Sequence, residues 1–137
     1  MEKEELLRKI NERNEGTLMQ TLGIEFVDVG EDYLEAKMPV TPAVHQPDGV
    51  LHGGATAALA ETVGSSAAAV FCRQESQMLR GIEISANHVR GVRSGHVTAR
   101  ATALHKGRTM QVWDIEIKND EGKLVSSCKL TTLTLAS

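Results

Sequence analysis

The chain has 137 residues, 41% of them hydrophobic and 24% charged, with a net charge of −3. That length corresponds to one domain, residues 1–137, able to bury a core without disulfide or metal staples. The acidic balance argues against a general nucleic-acid binder, and no apolar run approaches the length of a membrane span.

Aromatic residues make up only 3% of the chain, so Ala, Val, Leu and Ile must fill the core. The opening MEKEELLRKI is charged and amphipathic and lacks the apolar region of a secretory signal. Cys72 and Cys128 form no C-x-x-C pair and read as two free thiols, so the expected location is the reducing cytoplasm.

Residues 4–14, EELLRKINERN, predict an amphipathic helix, with Leu6, Leu7 and Ile10 on one side and Gly16 as a stop. LGIEFVDV and YLEAKMPV alternate like strands around the turn signal Gly30, Glu31, Asp32. Residues 41–53 carry Pro42, Pro47, Gly49 and Gly53 and read as loop; a helix over residues 54–71 follows. Four long strand-like stretches complete the chain: GIEISANHVR, HVTARATAL, MQVWDIEIK and LVSSCKLTTLTL. The order points to an α+β fold with one antiparallel sheet, one helix covering a single face of it, and oligomerisation covering the other.

On the long helix, Leu59, Val63, Ala67 and Val70 form the stripe expected to face the sheet. Ala57, Glu61, Gly64, Ser65 and Ala68 fall on the opposite side, where small side chains let a partner approach. A Glu in mid-helix ordinarily points to solvent or pairs with a distant cation. Glu61 has no Lys or Arg within one turn, and burial without a partner would be costly. Ahead of it, His52, Gly53 and Gly54 stand where a helix start offers free N–H groups and a positive dipole end, a device for holding an oxyanion. The eight residues from Gly53 to Glu61 span about two turns, and a symmetric dimer is one way to set one chain's donors beside the other's carboxylate.

Charge is unevenly placed. Arg80, Arg90, Arg93, Arg100, Lys106 and Arg108, set against Glu83, make residues 80–108 locally +5 and leave −8 for the remainder. A local anionic ligand fits that bias better than a polyanion lying across the surface. His45 and His52 find no third ligand at metal spacing, H-E-x-x-H is absent, and no G-x-S-x-G elbow supports a Ser-His-Asp triad.

GVLHGGATAALAETVGS resembles the H-G-G-x-x-x-x-L-A-E pattern of hotdog-fold acyl-CoA thioesterases of the PaaI and 4-hydroxybenzoyl-CoA thioesterase type. LGIEFVDVGEDYLEAKMPV, GIEISANHVR, GHVTARATALHKGR and QVWDIEI extend the likeness toward the 1,4-dihydroxy-2-naphthoyl-CoA thioesterase branch, although Asp48 stands where that branch often carries a bulky apolar residue. The resemblance implies a long helix wrapped by a curved antiparallel sheet, with protomers joined edge to edge into dimers that pair as tetramers. It implies hydrolysis of an aromatic or medium-chain acyl-CoA, with CoA as part of the substrate and no separate cofactor or metal. Glu61 matches the carboxylate that acts as nucleophile or general base, and Gly53 the N–H that polarises the thioester carbonyl. Gln46 and His52 match positions beside the scissile bond, and Ser65 a hydroxyl that places water. Gly81, then His88, Val89, Arg90 and Gly91, then His105, Lys106, Gly107, Arg108, Thr109 and Met110 match nucleotide and pantetheine positions. Two other readings remain open on these residues: a 3-hydroxyacyl-thioester dehydratase pairing a His with the carboxylate, and a non-catalytic acyl-CoA sensor.

Overall fold

The computed structural model describes residues 2–74 and 77–136. Helix α1 (Lys3–Glu12) and a short helix α2 (Leu18–Leu22) precede strands β1 (Glu25–Val29) and β2 (Tyr33–Pro39). A 3-10 turn at Pro42–Val44 leads into helix α3 (Gly53–Phe71). Strands β3 (Gln77–His88), β4 (His96–Lys106), β5 (Met110–Asn119) and β6 (Leu124–Ala136) follow. All six strands join one antiparallel sheet in the order β1-β2-β4-β5-β6-β3, wrapped around α3 as expected of the hotdog fold.

Helix α2 is absent from the sequence reading. Its five residues, LMQTL, are too few for a periodic signal, and Gly23, left-handed at φ 74°, ends it. Gly16 lies beyond the end of α1 and is also left-handed.

Helix α3 presents more than one stripe to the sheet. Leu59, Val63 and Ala67 are fully buried as expected, and Val70 is half-buried. Gly64 and Ala68, expected on the opposite side with Ala57, Glu61 and Ser65, are buried too. A Cβ on Gly64 would stand 2.6 Å from Leu130 Cδ2 and 3.3 Å from Ile115 Cδ1. At roughly 100° per residue, the positions from Leu59 to Ala68 sweep about 180°, because the curved sheet embraces half of the helix. Glu61 falls just outside that arc and is exposed, with Ser65 half-buried beyond it.

The two sheet edges differ. The N-terminal segment closes the β1 edge: Asn11 Nδ2 donates to the Phe26 carbonyl (3.0 Å), and the Phe26 N–H donates to Asn11 Oδ1 (2.8 Å). Asn14 Nδ2 likewise donates to the Ile24 carbonyl (3.0 Å). Strand β3 has no neighbour on its outer side among the described residues. An open edge of twelve residues invites pairing with another strand.

Trp113 anchors the core, its ring centroid 6.4 Å from that of Phe71. The indole N–H donates to Thr132 Oγ1 (3.2 Å), and that hydroxyl donates to Gln111 Oε1 (2.8 Å). Cys128 is buried and Cys72 half-buried, both free, and burial pushes both thiols up.

Candidate active site along helix α3 and strand β3

The loop before α3 is pinned on both sides. Gln46 N–H donates to the Val50 carbonyl (2.8 Å), Leu51 N–H to Val92 (2.8 Å) and His52 N–H to Val44 (2.8 Å). The Gln46 side chain accepts from Asp48 N–H, and Gly49 turns with φ 80°. This fixes the direction in which α3 begins.

His52 is the N-cap of α3. Its Nδ1 accepts from Gly54 N–H at 2.7 Å, and its carbonyl accepts from Thr56 N–H. The cap satisfies one orphan donor of the first turn. Gly53 N–H has no acceptor among the described residues and is left for a ligand. The cap also sets the tautomer: with Nδ1 accepting, the neutral ring carries its hydrogen on Nε2. His52 Nε2 is therefore the donor of this ring. On this geometry His52→Asn, which keeps an acceptor at the Nδ1 position, is expected to retain most activity. His52→Gln, which keeps only the outer donor position, is expected to lose about tenfold in kcat. Steady-state kinetics of the pair decides it, and the reverse ranking would refute the capping role.

His88 lies across the same helix start. A Cβ on Gly53 would stand 3.0 Å from His88 Nε2, so a larger residue here would press the imidazole aside by a few tenths of an ångström. Ser126 Oγ donates to the Asn87 carbonyl (3.2 Å) and lies 3.0 Å from His88 Nδ1. In the tautomer that leaves this hydrogen on Asn87, Nδ1–H donates to Ser126 and Nε2 faces Gly53 as an acceptor; Ser126 Oγ also lies 3.3 Å from Cys128 Sγ. No sequence motif marks Ser126; only the pairing of β3 with β6 places it under the ring. Gln46, Gly53, His88, Val89, Arg90 and Gly91 line one cavity of about 350 Å³.

Glu61 belongs to a second cluster. A Cβ on Gly81 would stand 2.9 Å from Glu61 Oε2 and 3.6 Å from Ser65 Oγ. The carboxylate thus rests against the open edge of β3, with no ion pair among the described residues. Gly53 and Glu61 are about 12 Å apart along the helix axis. One chain does not bring them together.

The third cluster lies at the far end of α3. Lys106, Gly107 and Arg108 line a groove of about 360 Å³ with Phe71, Cys72 and Gln77. His105 stacks its ring on Gly107, whose N–H donates to the Met110 carbonyl (2.9 Å), and the Thr109 carbonyl accepts from Thr134 N–H (2.8 Å). The expected site residues therefore fall at the start, middle and end of one α3–β3 seam.

Residues 48–126 match the thioesterase superfamily. The chain belongs to that superfamily. As a thioesterase it is 45% identical over 129 residues to the 1,4-dihydroxy-2-naphthoyl-CoA hydrolase of Escherichia coli K12, covering 94% of each chain. The structure of a thioesterase from Haemophilus influenzae superposes with a TM-score of 0.91 at 46% identity, covering 95% of this chain and 90% of that one. A thioesterase from Staphylococcus aureus superposes at 0.83 with 36% identity, covering 86% of this chain and 98% of that one. That protein has been crystallised with one glutamine and, separately, with one glutamate replaced by alanine, at positions 15 residues apart. Gln46 and Glu61 of this thioesterase have the same separation. The enzyme is a thioester hydrolase, and the free N–H groups, acceptor imidazole and unpaired carboxylate along its seam are groups that thioester hydrolysis can use.

Proposed function

We propose that this thioesterase hydrolyses aromatic or medium-chain acyl-CoA thioesters at sites shared by two protomers paired along β3. The observation that carries this reading is the placement of a free Gly53 N–H and an unpaired Glu61 carboxylate about 12 Å apart on one helix, beside the open sheet edge. Twofold pairing of β3 strands sets Glu61 of one chain beside the partner subunit's Gly53. The thioester oxygen accepts from that N–H, assisted by the positive end of α3. Glu61 either attacks the carbonyl carbon or takes a proton from an attacking water, with Ser65 and Gln46 placing the water. The carbon–sulfur bond breaks, and the free acid and CoA leave. Exposed Met78, Ile82, Met110 and Leu135 on the far side of the sheet fit the pairing of two such dimers.

The spacing shared with the Staphylococcus aureus variants supports Gln46 and Glu61 as site residues. The E. coli relative makes 1,4-dihydroxy-2-naphthoyl-CoA the first substrate to try. The A-L-A-E-T context of Glu61 favours hydrolysis over dehydration. CoA phosphates are assigned to Arg90 and to the Lys106–Gly107–Arg108 groove, which are exposed or half-buried cations and backbone with room for an anion.

Release of free thiol from a panel of aromatic and aliphatic acyl-CoAs tests the function. Turnover with CoA release supports it; unsaturated product without thiol, or binding without turnover, refutes it. On the same panel Arg90→Ala and Arg108→Ala are each expected to raise KM several-fold with kcat little changed. Kinetic silence of both variants would remove the phosphate assignment.

A further inference from the structure

We propose that the cavity between α1, α3 and the start of β3 is the acyl chamber, and that it selects acyl groups ending in a carboxylate. This inference rests on the placement of the reaction at Glu61. The cavity measures about 550 Å³, within the range of small-molecule sites. Ser65, one turn from Glu61, opens into it, so a carbonyl held at Glu61 points its substituent inward. Ile10, Met19, Phe26, Ala69 and Leu79 supply an apolar lining for the body of the chain.

Beyond that lining two exposed arginines, Arg13 and Arg73, stand at the rim. Among the described residues no Asp or Glu lines the cavity. Arg13 and Arg73 make no ion pair among the described residues; Arg80 also borders the cavity, but its side chain lies on the other face of β3, donating to the Leu79 carbonyl (2.9 Å) and to Met78 Sδ (3.6 Å). Two like charges at one rim repel one another, and an anion held between them relieves that repulsion. Guanidinium keeps its charge and matches a carboxylate with two parallel N–H donors. Arg73 lies just past the end of α3, about 9 Å of helix beyond Ser65 at Phe71, so a medium-length chain separates the thioester from its terminal anion.

The anion could also be a phosphate of CoA itself, and the test separates the two sources. Octanoyl and suberoyl thioesters share a chain length and differ by the terminal carboxylate. Each is assayed on CoA and on pantetheine, which has no phosphate. The wild-type enzyme is expected to favour suberoyl by about tenfold in kcat/KM on both carriers. Arg13→Gln combined with Arg73→Gln is expected to erase that preference while octanoyl turnover stays unchanged. Equal turnover of the two acyl groups by the wild-type enzyme would overturn the inference. So would a double variant that slows both CoA thioesters alike and spares both pantetheine thioesters, which would give the arginines to the phosphates. Failure to hydrolyse any of the four, by an enzyme equally inert on the aromatic panel, would strike the Glu61 reading itself and this inference with it.

Discussion

Glu61→Gln is expected to lower kcat by about a thousandfold while leaving a folded oligomer. The substitution keeps the length and shape of the side chain and its rest against Gly81. It removes the negative charge and the basic lone pair, and those are what either form of the reaction draws on. The loss belongs in kcat, because an amide at this position still occupies the carboxylate's space without crowding the substrate. Thiol release under saturating substrate measures it, with gel filtration as the control for assembly. A variant within tenfold of the parent would remove Glu61 from the reaction.

Trp113→Ala is expected to cost about 3–5 kcal/mol of stability. The indole is the largest fully buried side chain and stacks near Phe71. Its removal leaves a cavity and also deprives Thr132 of a donor in the chain that runs on to Gln111 and Thr134. Trp113→Phe, which fills part of the space and loses the same N–H, is expected to fall well short of that cost. Urea unfolding at one fixed protein concentration gives both values, since assembly adds to apparent stability. A loss below about 1 kcal/mol for the alanine variant would show that the β5–β6 core does not depend on this ring.

The long elements and the catalytic motif were legible because each has a strong local signal. The small-residue helix, the carboxylate isolated within it and the glycines at its start can all be read without knowing where the sheet lies. Strand order could not be read this way. β3 follows α3 in the chain yet pairs with β6, some forty residues away, and nothing local in GIEISANHVR states that its outer edge is open. The misplacement of Gly64 and Ala68 has the same origin: a flat sheet would bury one stripe, whereas a curved one buries half a helix. Ser126 beneath His88, Asn11 on the β1 edge and the arginines around the α1–α3 cavity are likewise products of pairing between distant segments. Six expected residues, Gln46, Gly53, His88, Val89, Arg90 and Gly91, do meet in one cavity, because the loop and the end of β3 are both tied to the start of α3.

The register of β3 against β6 shifts between Gly81 and Glu83. Before the shift, odd-numbered Leu79 and Gly81 turn toward α3; after it, even-numbered Ile84, Ala86 and His88 do. Ile82 is thus a parity switch, a single extra residue that lets both halves of the strand look inward at opposite counts. Deleting it would leave Gly81 opposite Thr132 and Glu83 opposite Thr131 in unbroken alternation, so both halves would keep their inward faces and only the bulge would be lost. Replacement and even removal can therefore be tolerated at this exposed isoleucine, while one residue inserted between Ile84 and His88 would turn those beyond it away from α3.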